Sequence, residues 1–173
     1  MSGFTVRRLN QVTSREFGGL CEVLIDCVEG GASVSFMHPM TLSKASEYWR
    51  GVAASMANGE RALVVAEDAQ GALIGTAQAI WAREENQPHR ADIAKMLVHR
   101  RARGLGVGGR LLEAAEAAAR EAGRTLGVLD TGSREGERLY ERGGWQRVGT
   151  IPDYALMPDG APCSTVVYYK RLV

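Results

Sequence analysis

A glycine-rich segment between two regular elements constrains this chain more than any other feature. Arg103-Gly104-Leu105-Gly106-Val107-Gly108 follows RADIAKMLV at 90–98, which is typical of a strand, and opens into an Ala-rich segment at 110–122 with apolar residues at helical spacing. Glycines permit positive φ and close approach of the backbone to a ligand, and the first N–H groups of a helix have no intrahelical acceptor. The order strand, glycine loop, helix therefore predicts an anion site suited to a phosphate or pyrophosphate.

Two well-known phosphate-binding loops fit this segment poorly. A Walker loop requires Lys-Ser or Lys-Thr after the glycines, and neither dipeptide follows them. The string Gly104-x-Gly106-x-x-Gly109 matches a dinucleotide fingerprint, but it comes after three predicted strands instead of in the first strand-to-helix turn. We expect Arg100, Arg101 and Arg103 to strengthen the anion site with their charge.

The rest of the chain alternates short strand-like and helix-like segments. Apolar patterning predicts strands at 4–9, 62–68, 72–82, 125–131, 145–151 and 164–173, and helices at 16–28, 41–57 and 135–142. Ser14 is the predicted N-cap of the first helix. With 173 residues, 45% of them hydrophobic, and neither a repeat nor a linker, the sequence predicts one mixed α/β domain over 1–173.

The charge balance and the metal-binding residue types narrow the function classes. Lys and Arg total 21 against 20 Asp and Glu, so we expect neither nucleic acid nor an anionic membrane as a partner. The cysteines form no C-x-x-C pair and the histidines have no ligand spacing, so we expect no metal. The absence of an apolar run or signal-peptide pattern favours a cytoplasmic location.

Two motifs resemble those of the GNAT family of N-acetyltransferases. The glycine loop is similar to the family's coenzyme A motif [QR]-x-x-G-x-[GA], with Arg103, Gly106 and Gly108 in the motif positions, although Arg101-x-x-Gly104-x-Gly106 also satisfies it. Leu139-Tyr140-x-x-x-Gly144-Trp145 is similar to a second signature, L-Y-x-x-x-G-[FW]. The resemblance implies a mixed, mostly antiparallel sheet flanked by helices, with a splay between the fourth and fifth strands.

A narrower resemblance points to the tabtoxin resistance branch of that family. It rests on four segments: Gly30 to Met37, Lys95 to Val98, Leu129 to Thr131 and Pro158 to Gly160. It implies direct acetyl transfer, in a ternary complex, to the amine of a small amino acid or toxin-like compound such as a tabtoxinine-type β-lactam. A protein lysine or N-terminal acetyltransferase and a non-catalytic acyl-CoA-binding regulatory module remain alternatives. The oligomeric state is open between monomer and homodimer.

The resemblance also implies how acetyl-CoA, the expected co-substrate, is held. In the family, the strand before the glycine loop leaves backbone groups free for the pantetheine arm, and a backbone N–H near Leu97 or Val98 would polarise the thioester carbonyl. The loop N–H groups would bind the pyrophosphate. The residues expected to bind the co-substrate are Met96, Leu97, Val98, Arg103, Gly104, Leu105, Gly106, Val107 and Gly108.

Three residues are candidates for catalysis. By resemblance, Tyr140 is the general acid for the departing thiolate. Asp130 and Asp92, on neighbouring predicted strands, would act as the base or bind the substrate ammonium, unless each is a structural partner of an arginine or a loop N–H.

Two segments are candidates for binding the acceptor. One is the loop at 29–37, whose alternative interpretation is a packed connector; the other lies near the C-terminus. The candidate residues are Gly31, Ser33, Val34, Phe36, Asp153 and Tyr154.

Overall fold

The computed structural model describes residues 3–173, which form seven strands and four α-helices. In chain order these are β1 (Phe4–Leu9), α1 (Ser14–Glu29), α2 (Leu42–Ala57), β2 (Arg61–Asp68), β3 (Leu73–Trp81), β4 (Arg90–Val98), α3 (Val107–Glu121), β5 (Leu126–Thr131), α4 (Arg134–Arg142), β6 (Gln146–Leu156) and β7 (Pro162–Arg171). A 3-10 turn, Arg100–Ala102, precedes the glycine loop. The predicted elements are all present, but α3 begins three residues earlier than predicted and β6 ends five residues later.

All seven strands belong to one mixed sheet in the order β1-β2-β3-β4-β5-β7-β6. β4 and β5 are parallel, whereas the other neighbouring strands are antiparallel. Pairing of β4 with β5 covers only Arg90 to Asp92 against Leu126 to Val128. Beyond it, β4 stays paired with β3 as far as Val98 while β5 continues along β7. The predicted splay between the fourth and fifth strands is confirmed.

Helices cover both faces of the sheet. Trp49 and Leu24 are fully buried in the core beneath α1 and α2, whereas Leu111 and Tyr140 belong to the core beneath α3 and α4. Gly75 of β3 lets α3 approach closely, since a Cβ there would lie 2.9 Å from Leu111 Cδ1. This contact sets the start of α3, and with it the glycine loop, against the end of β4.

The start of α1 is built differently from the prediction. Thr13, not Ser14, is the N-cap, and Glu16 accepts hydrogen bonds from the Thr13 backbone N–H at 3.0 Å and from the Thr13 hydroxyl. Arg7 of β1 donates to Glu16 at 2.8 Å and to Glu67 of β2 at 2.7 Å. The hydrogen bond from the Thr13 hydroxyl and then that from Arg7 lower the pKa of Glu16 to about 2. This buried carboxylate therefore ties α1 to the edge of the sheet.

Replacing Glu16 with Gln should destabilise the protein in a pH-dependent way. The folded pKa lies below the ordinary value of 4.5, so the stabilisation is full above about pH 5 and disappears as the pH falls through 2. We expect Glu16→Gln to lower the free energy of unfolding by about 1–3 kcal/mol at pH 7, with the difference from wild type shrinking towards pH 2. Urea denaturation measures it, and Glu113→Gln, at an exposed ion pair, is the control. A pH-independent difference would contradict the assignment.

Candidate active site

The glycine loop presents a run of free backbone donors. Gly104 and Gly106 adopt left-handed conformations, with φ of 78° and 83°, and Gly106 is the N-cap of α3. From Gly104 to Gly109, no backbone N–H donates to an acceptor among residues 3–173. Consecutive N–H groups at a helix start, with the positive end of its dipole behind them, are suited to binding a pyrophosphate.

The loop conformation bears on the register of the coenzyme A motif. From the sequence, Gly106 and Gly108 are predicted to occupy the glycine positions of the motif. However, Gly108 is the second residue of α3, and a Cβ there would lie 3.4 Å from Leu139 Cδ2 of α4. The left-handed residues are Gly104 and Gly106, which favours the register that begins at Arg101.

The three arginines beside the loop hold it in place. Arg100 donates through its backbone N–H and its Nε to the carboxylate of Asp26 in α1, at 2.8 and 2.9 Å. Arg101 pairs with Asp68 at 2.8 Å, and the Arg103 Nε donates to the Val98 carbonyl at 3.3 Å. Carboxylates therefore offset the charge of Arg100 and Arg101, and the contribution of the three side chains to anion binding stays a prediction.

The end of β4 offers one free donor to the splay. The His99 N–H donates to the Ile74 carbonyl at 2.9 Å, and Leu97 lies opposite Thr76. Because hydrogen-bonded pairs alternate along antiparallel strands, the Val98 N–H points away from β3, towards the side that β5 has left. The Val98 carbonyl already accepts from Arg103 and from the Cys27 thiol, at 3.4 Å. Of the two predicted N–H groups, the geometry favours that of Val98.

Tyr140 of α4 packs beside β7, the neighbour of β5 in the sheet. It is 5% exposed, and its ring packs against Trp145 and Tyr168, with centroids 6.2 and 6.0 Å away. Burial, and then the charge of Asp130, raise the pKa of Tyr140. Its hydroxyl makes no hydrogen bond within the described part of the chain.

The two predicted carboxylates share one face of the sheet. Asp92 lies opposite Val128, and Asp130 is two residues beyond Val128 on β5. Asp92 accepts a hydrogen bond from Arg90, and burial raises its pKa despite Arg90. Asp130 is exposed and accepts from the Thr165 hydroxyl at 2.6 Å. Asp92 is thus an arginine partner, one of its two predicted roles, and Asp130 is the more accessible carboxylate.

Lys95, for which the sequence motifs predict no role, also lies at the parted end of β4. It occupies a β-bulge of β4 with a φ of 50°. Its Nζ donates to Ser35 Oγ at 2.9 Å and lies 6.0 and 5.9 Å from the ring centroids of Phe36 and Tyr48. A cation in the otherwise apolar stretch 93–98 was the available sequence signal.

The predicted acceptor loop both packs against the core and faces this region. Val34 and Phe36 pack against the core beneath α1 and α2, and Phe36 meets Tyr48 edge-on at 5.3 Å. The Ser33 hydroxyl donates to the Leu156 carbonyl at 2.9 Å. Gly31 has a φ of 90° at the start of the loop. The loop is thus joined to the end of β6 while Phe36 stands beside Lys95.

Asp153 and Tyr154 precede Leu156, the residue of β6 that the loop contacts. Both belong to an irregular part of β6 between Ile151 and Ala155, where Asp153 has a φ of 50° and Tyr154 is 57% exposed. Among residues 3–173, no hydrogen bond connects either side chain to Gly31, Ser33, Val34 or Phe36. Their role in acceptor binding stays a prediction.

The parted strands, the donor loop and the buried tyrosine together define a coenzyme A-dependent acyltransferase. Residues 58–147 match the model of the acetyltransferase (GNAT) domain, a span that contains the loop and Tyr140. An uncharacterised N-acetyltransferase from the hisH–hisA intergenic region of Azospirillum brasilense is 30% identical over 140 residues, which is 80% of each chain. The chain belongs to the GNAT family.

Solved structures agree with this fold. A GNAT phosphinothricin acetyltransferase from Sinorhizobium meliloti, solved in complex with acetyl-CoA, superposes with a TM-score of 0.81 at 20% sequence identity. The match covers 98% of this chain and 88% of that enzyme's chain. The ribosomal-protein-alanine N-acetyltransferase of Brucella melitensis superposes with a TM-score of 0.79 at 20% sequence identity, and the match covers 96% of this chain and 99% of that enzyme's chain.

Acetyl-CoA is the acetyl donor, and the loop and strand described above fit it. Residues 3–173 contain no group of three or more His, Cys, Asp or Glu side chains arranged to hold a metal. No helix in the same range is both long and apolar enough to cross a membrane.

The loop conformation predicts a specific binding defect. Gly106→Val should weaken acetyl-CoA binding at least about tenfold, because a β-branched residue disfavours a φ of 83° and the loop must move to relieve the strain. Gly123→Val is the matched control, since Gly123 has a φ of 75° and open space around it at the other end of α3. Calorimetry measures both dissociation constants. Equal affinities in the two variants would show that this loop does not hold the coenzyme.

Proposed function

We propose that this acyltransferase transfers the acetyl group directly to the amine of a small molecule, an amino acid or a toxin-like compound, with tabtoxinine-type β-lactams among the candidates. The observation that carries the proposal is the presence of two opposite charges beside the splay. Asp130 lies on β5 just beyond the residues that pair with β4, and Lys95 lies on β4 in contact with Ser35 and Phe36 of the acceptor loop. A small, charged acceptor suits such a site. The cytoplasm is the proposed location, where acetyl-CoA is available.

Contacts between the acceptor loop and the β6–β7 hairpin support a small acceptor. Besides the bond from Ser33 to Leu156, the His38 N–H donates to the Pro158 carbonyl at 2.9 Å. The loop is thus joined twice to the hairpin across this end of the site. An extended peptide would require an open groove there, so the bridging contacts favour a compact substrate.

The state of the cysteines supports direct transfer in a ternary complex. Cys21, Cys27 and Cys163 are all buried. Cys27, which contacts the Val98 carbonyl, is held as a thiol because burial raises its pKa to about 11. A protonated thiol is a weak nucleophile, so an acyl-cysteine intermediate is disfavoured.

In this proposal, acetyl-CoA supplies an activated acetyl group as a thioester, and the chain positions it. The N–H groups from Gly104 to Gly109 bind the pyrophosphate, and Met96 to Val98 hold the pantetheine arm. The Val98 N–H is placed to stabilise negative charge on the thioester oxygen. Tyr140 Oη holds a proton throughout the physiological range because burial and Asp130 raise its pKa. That hydroxyl is the proposed general acid.

Asp130 and Asp92 provide the negative charge that an acceptor ammonium requires. Asp130 is the stronger candidate for direct contact, since it is exposed and its bond to Thr165 uses only Oδ2. Asp92 is neutralised in part by Arg90. We assign Asp130 to binding and deprotonating the amine, either directly or through water, with Asp92 in support.

The decisive test is thiol release from acetyl-CoA in the presence of three classes of acceptor. Free amino acids and β-lactam amino acids represent the proposed substrates, and lysine-containing or N-terminal peptides represent a protein acetyltransferase. Turnover with free amino acids and not with peptides supports the proposal. Turnover with peptides alone would establish the second function. Tight acetyl-CoA binding without turnover of any amine would indicate a regulatory binding module.

The proposed general acid makes a measurable difference to turnover. Tyr140→Phe retains the ring that packs against Trp145 and Tyr168 but removes the proton. We expect kcat to fall by roughly 10- to 1,000-fold with the affinity for acetyl-CoA little changed. Single-turnover kinetics, in which chemistry limits the rate, measures this effect. A wild-type rate would reduce Tyr140 to a packing role.

The carboxylates should act on the amine and not on the coenzyme. Asp130→Asn keeps the side-chain shape and its bond to Thr165 but removes the charge. We expect a higher KM for the amine or a shifted pH profile of kcat/KM, with the acetyl-CoA dissociation constant unchanged. Asp92→Asn should have a smaller effect, because Arg90 already neutralises this carboxylate. Wild-type kinetics in both variants would remove the carboxylates from the mechanism.

A further inference from the structure

Lys95 is held in a conformation that few residues with side chains adopt. Its φ of 50° lies in the left-handed region, at the bulge where β4 shifts register against β3. Such conformations cost free energy and are found disproportionately at functional sites. The result here is a lysine that interrupts an apolar strand and contacts Ser35, Phe36 and Tyr48.

The Lys95 ammonium is half-buried without an ion-pair partner. Within residues 3–173, no carboxylate oxygen lies within 4.0 Å of its Nζ. The Ser35 hydroxyl accepts one of its three N–H donors, and the Phe36 and Tyr48 rings flank the charge. Burial lowers the pKa of Lys95 in spite of the Asp130 charge. A cation in such surroundings gains strongly from a carboxylate that reaches its remaining donors.

Asp130 lies level with Lys95 along the two strands, because it is two residues beyond Val128, which pairs with Asp92, and Lys95 is three residues beyond Asp92. The charge of Asp130 acts on both Lys95 and Tyr140. The parted strands thus carry one exposed anion on β5 and one half-buried cation on β4. This is the charge pattern of an α-amino acid, with an ammonium to be acetylated and a carboxylate a short distance away.

We propose that Lys95 binds the carboxylate of the acceptor, so that the enzyme selects amines carrying a neighbouring carboxylate, with the ammonium held at Asp130. The proposal rests on the small-molecule acetyltransferase function given above, and it assigns Lys95 as the residue that determines specificity. The Phe36 and Tyr48 rings exclude water from the pair and thereby strengthen it.

The proposal is tested with pairs of acceptors in which a neutral group replaces the carboxylate. Each L-amino acid is compared with its primary amide, which retains the amine and the side chain, by thiol release from acetyl-CoA. Wild type should favour the acid over the amide in kcat/KM by about 10- to 100-fold. Lys95→Met should remove most of this preference, mainly by raising the KM for the acid, with little effect on the amide. Lys95→Arg, which keeps the charge, should retain much of it.

Further controls separate a binding role from a structural one. Lys44→Met removes another lysine beside the same loop, where its Nζ donates to the Pro39 carbonyl at 2.9 Å, and should leave the acid-to-amide ratio unchanged. Lys95→Gln provides a second neutral variant if Lys95→Met folds poorly. A variant whose melting temperature and acetyl-CoA affinity equal those of wild type is folded and binds the co-substrate, so a change in its kinetics reflects binding of the acceptor.

The outcomes distinguish failure of this inference from failure of the proposed function. If wild type acetylates acids and amides equally well, or if Lys95→Met lowers both equally, Lys95 does not bind the carboxylate and the small-molecule function stands. If no free amino acid or amide is acetylated by an enzyme that binds acetyl-CoA, the proposed function is wrong and this inference falls with it.

Discussion

The separation of β4 from β5 is the constraint on which the rest of the site depends. Parallel pairing ends at Asp92 and Val128, and each strand then continues along a different neighbour. A sheet that stayed closed would use the Val98 N–H in a ladder. Because the sheet opens, this donor stays free, and the proposed site combines it with the hydroxyl of Tyr140 and the carboxylate of Asp130.

The loop at the end of β4 keeps its shape through contacts that come from distant parts of the chain. Asp26 of α1 and Asp68 of β2 hold Arg100 and Arg101, while the Val98 carbonyl holds Arg103. With these side chains occupied, the proposed anion site consists chiefly of backbone N–H groups and the dipole of α3. Backbone donors fixed in this way cost little reorganisation when a ligand binds.

Much of the fold was predictable because its signals are local. The Ala-rich pattern of α3, the apolar strands and the glycines of the loop act over a few residues, and the structure contains each of these elements. The motif register was less secure, since two overlapping strings satisfied the pattern. Only the backbone conformation shows that Gly104 and Gly106 are left-handed and that Gly108 is helical.

The sequence by itself determined the family, the order of the elements and the glycine loop before α3, because periodicity and glycine spacing are properties of short segments. Tertiary structure decided which charges are free. Arg100 is neutralised by Asp26, 74 positions away, and Lys95 meets Ser35 from 60 positions away, whereas no ion pair reaches its Nζ in the described chain. The free energy of a charge depends on its burial and its partners, and long-range packing sets both.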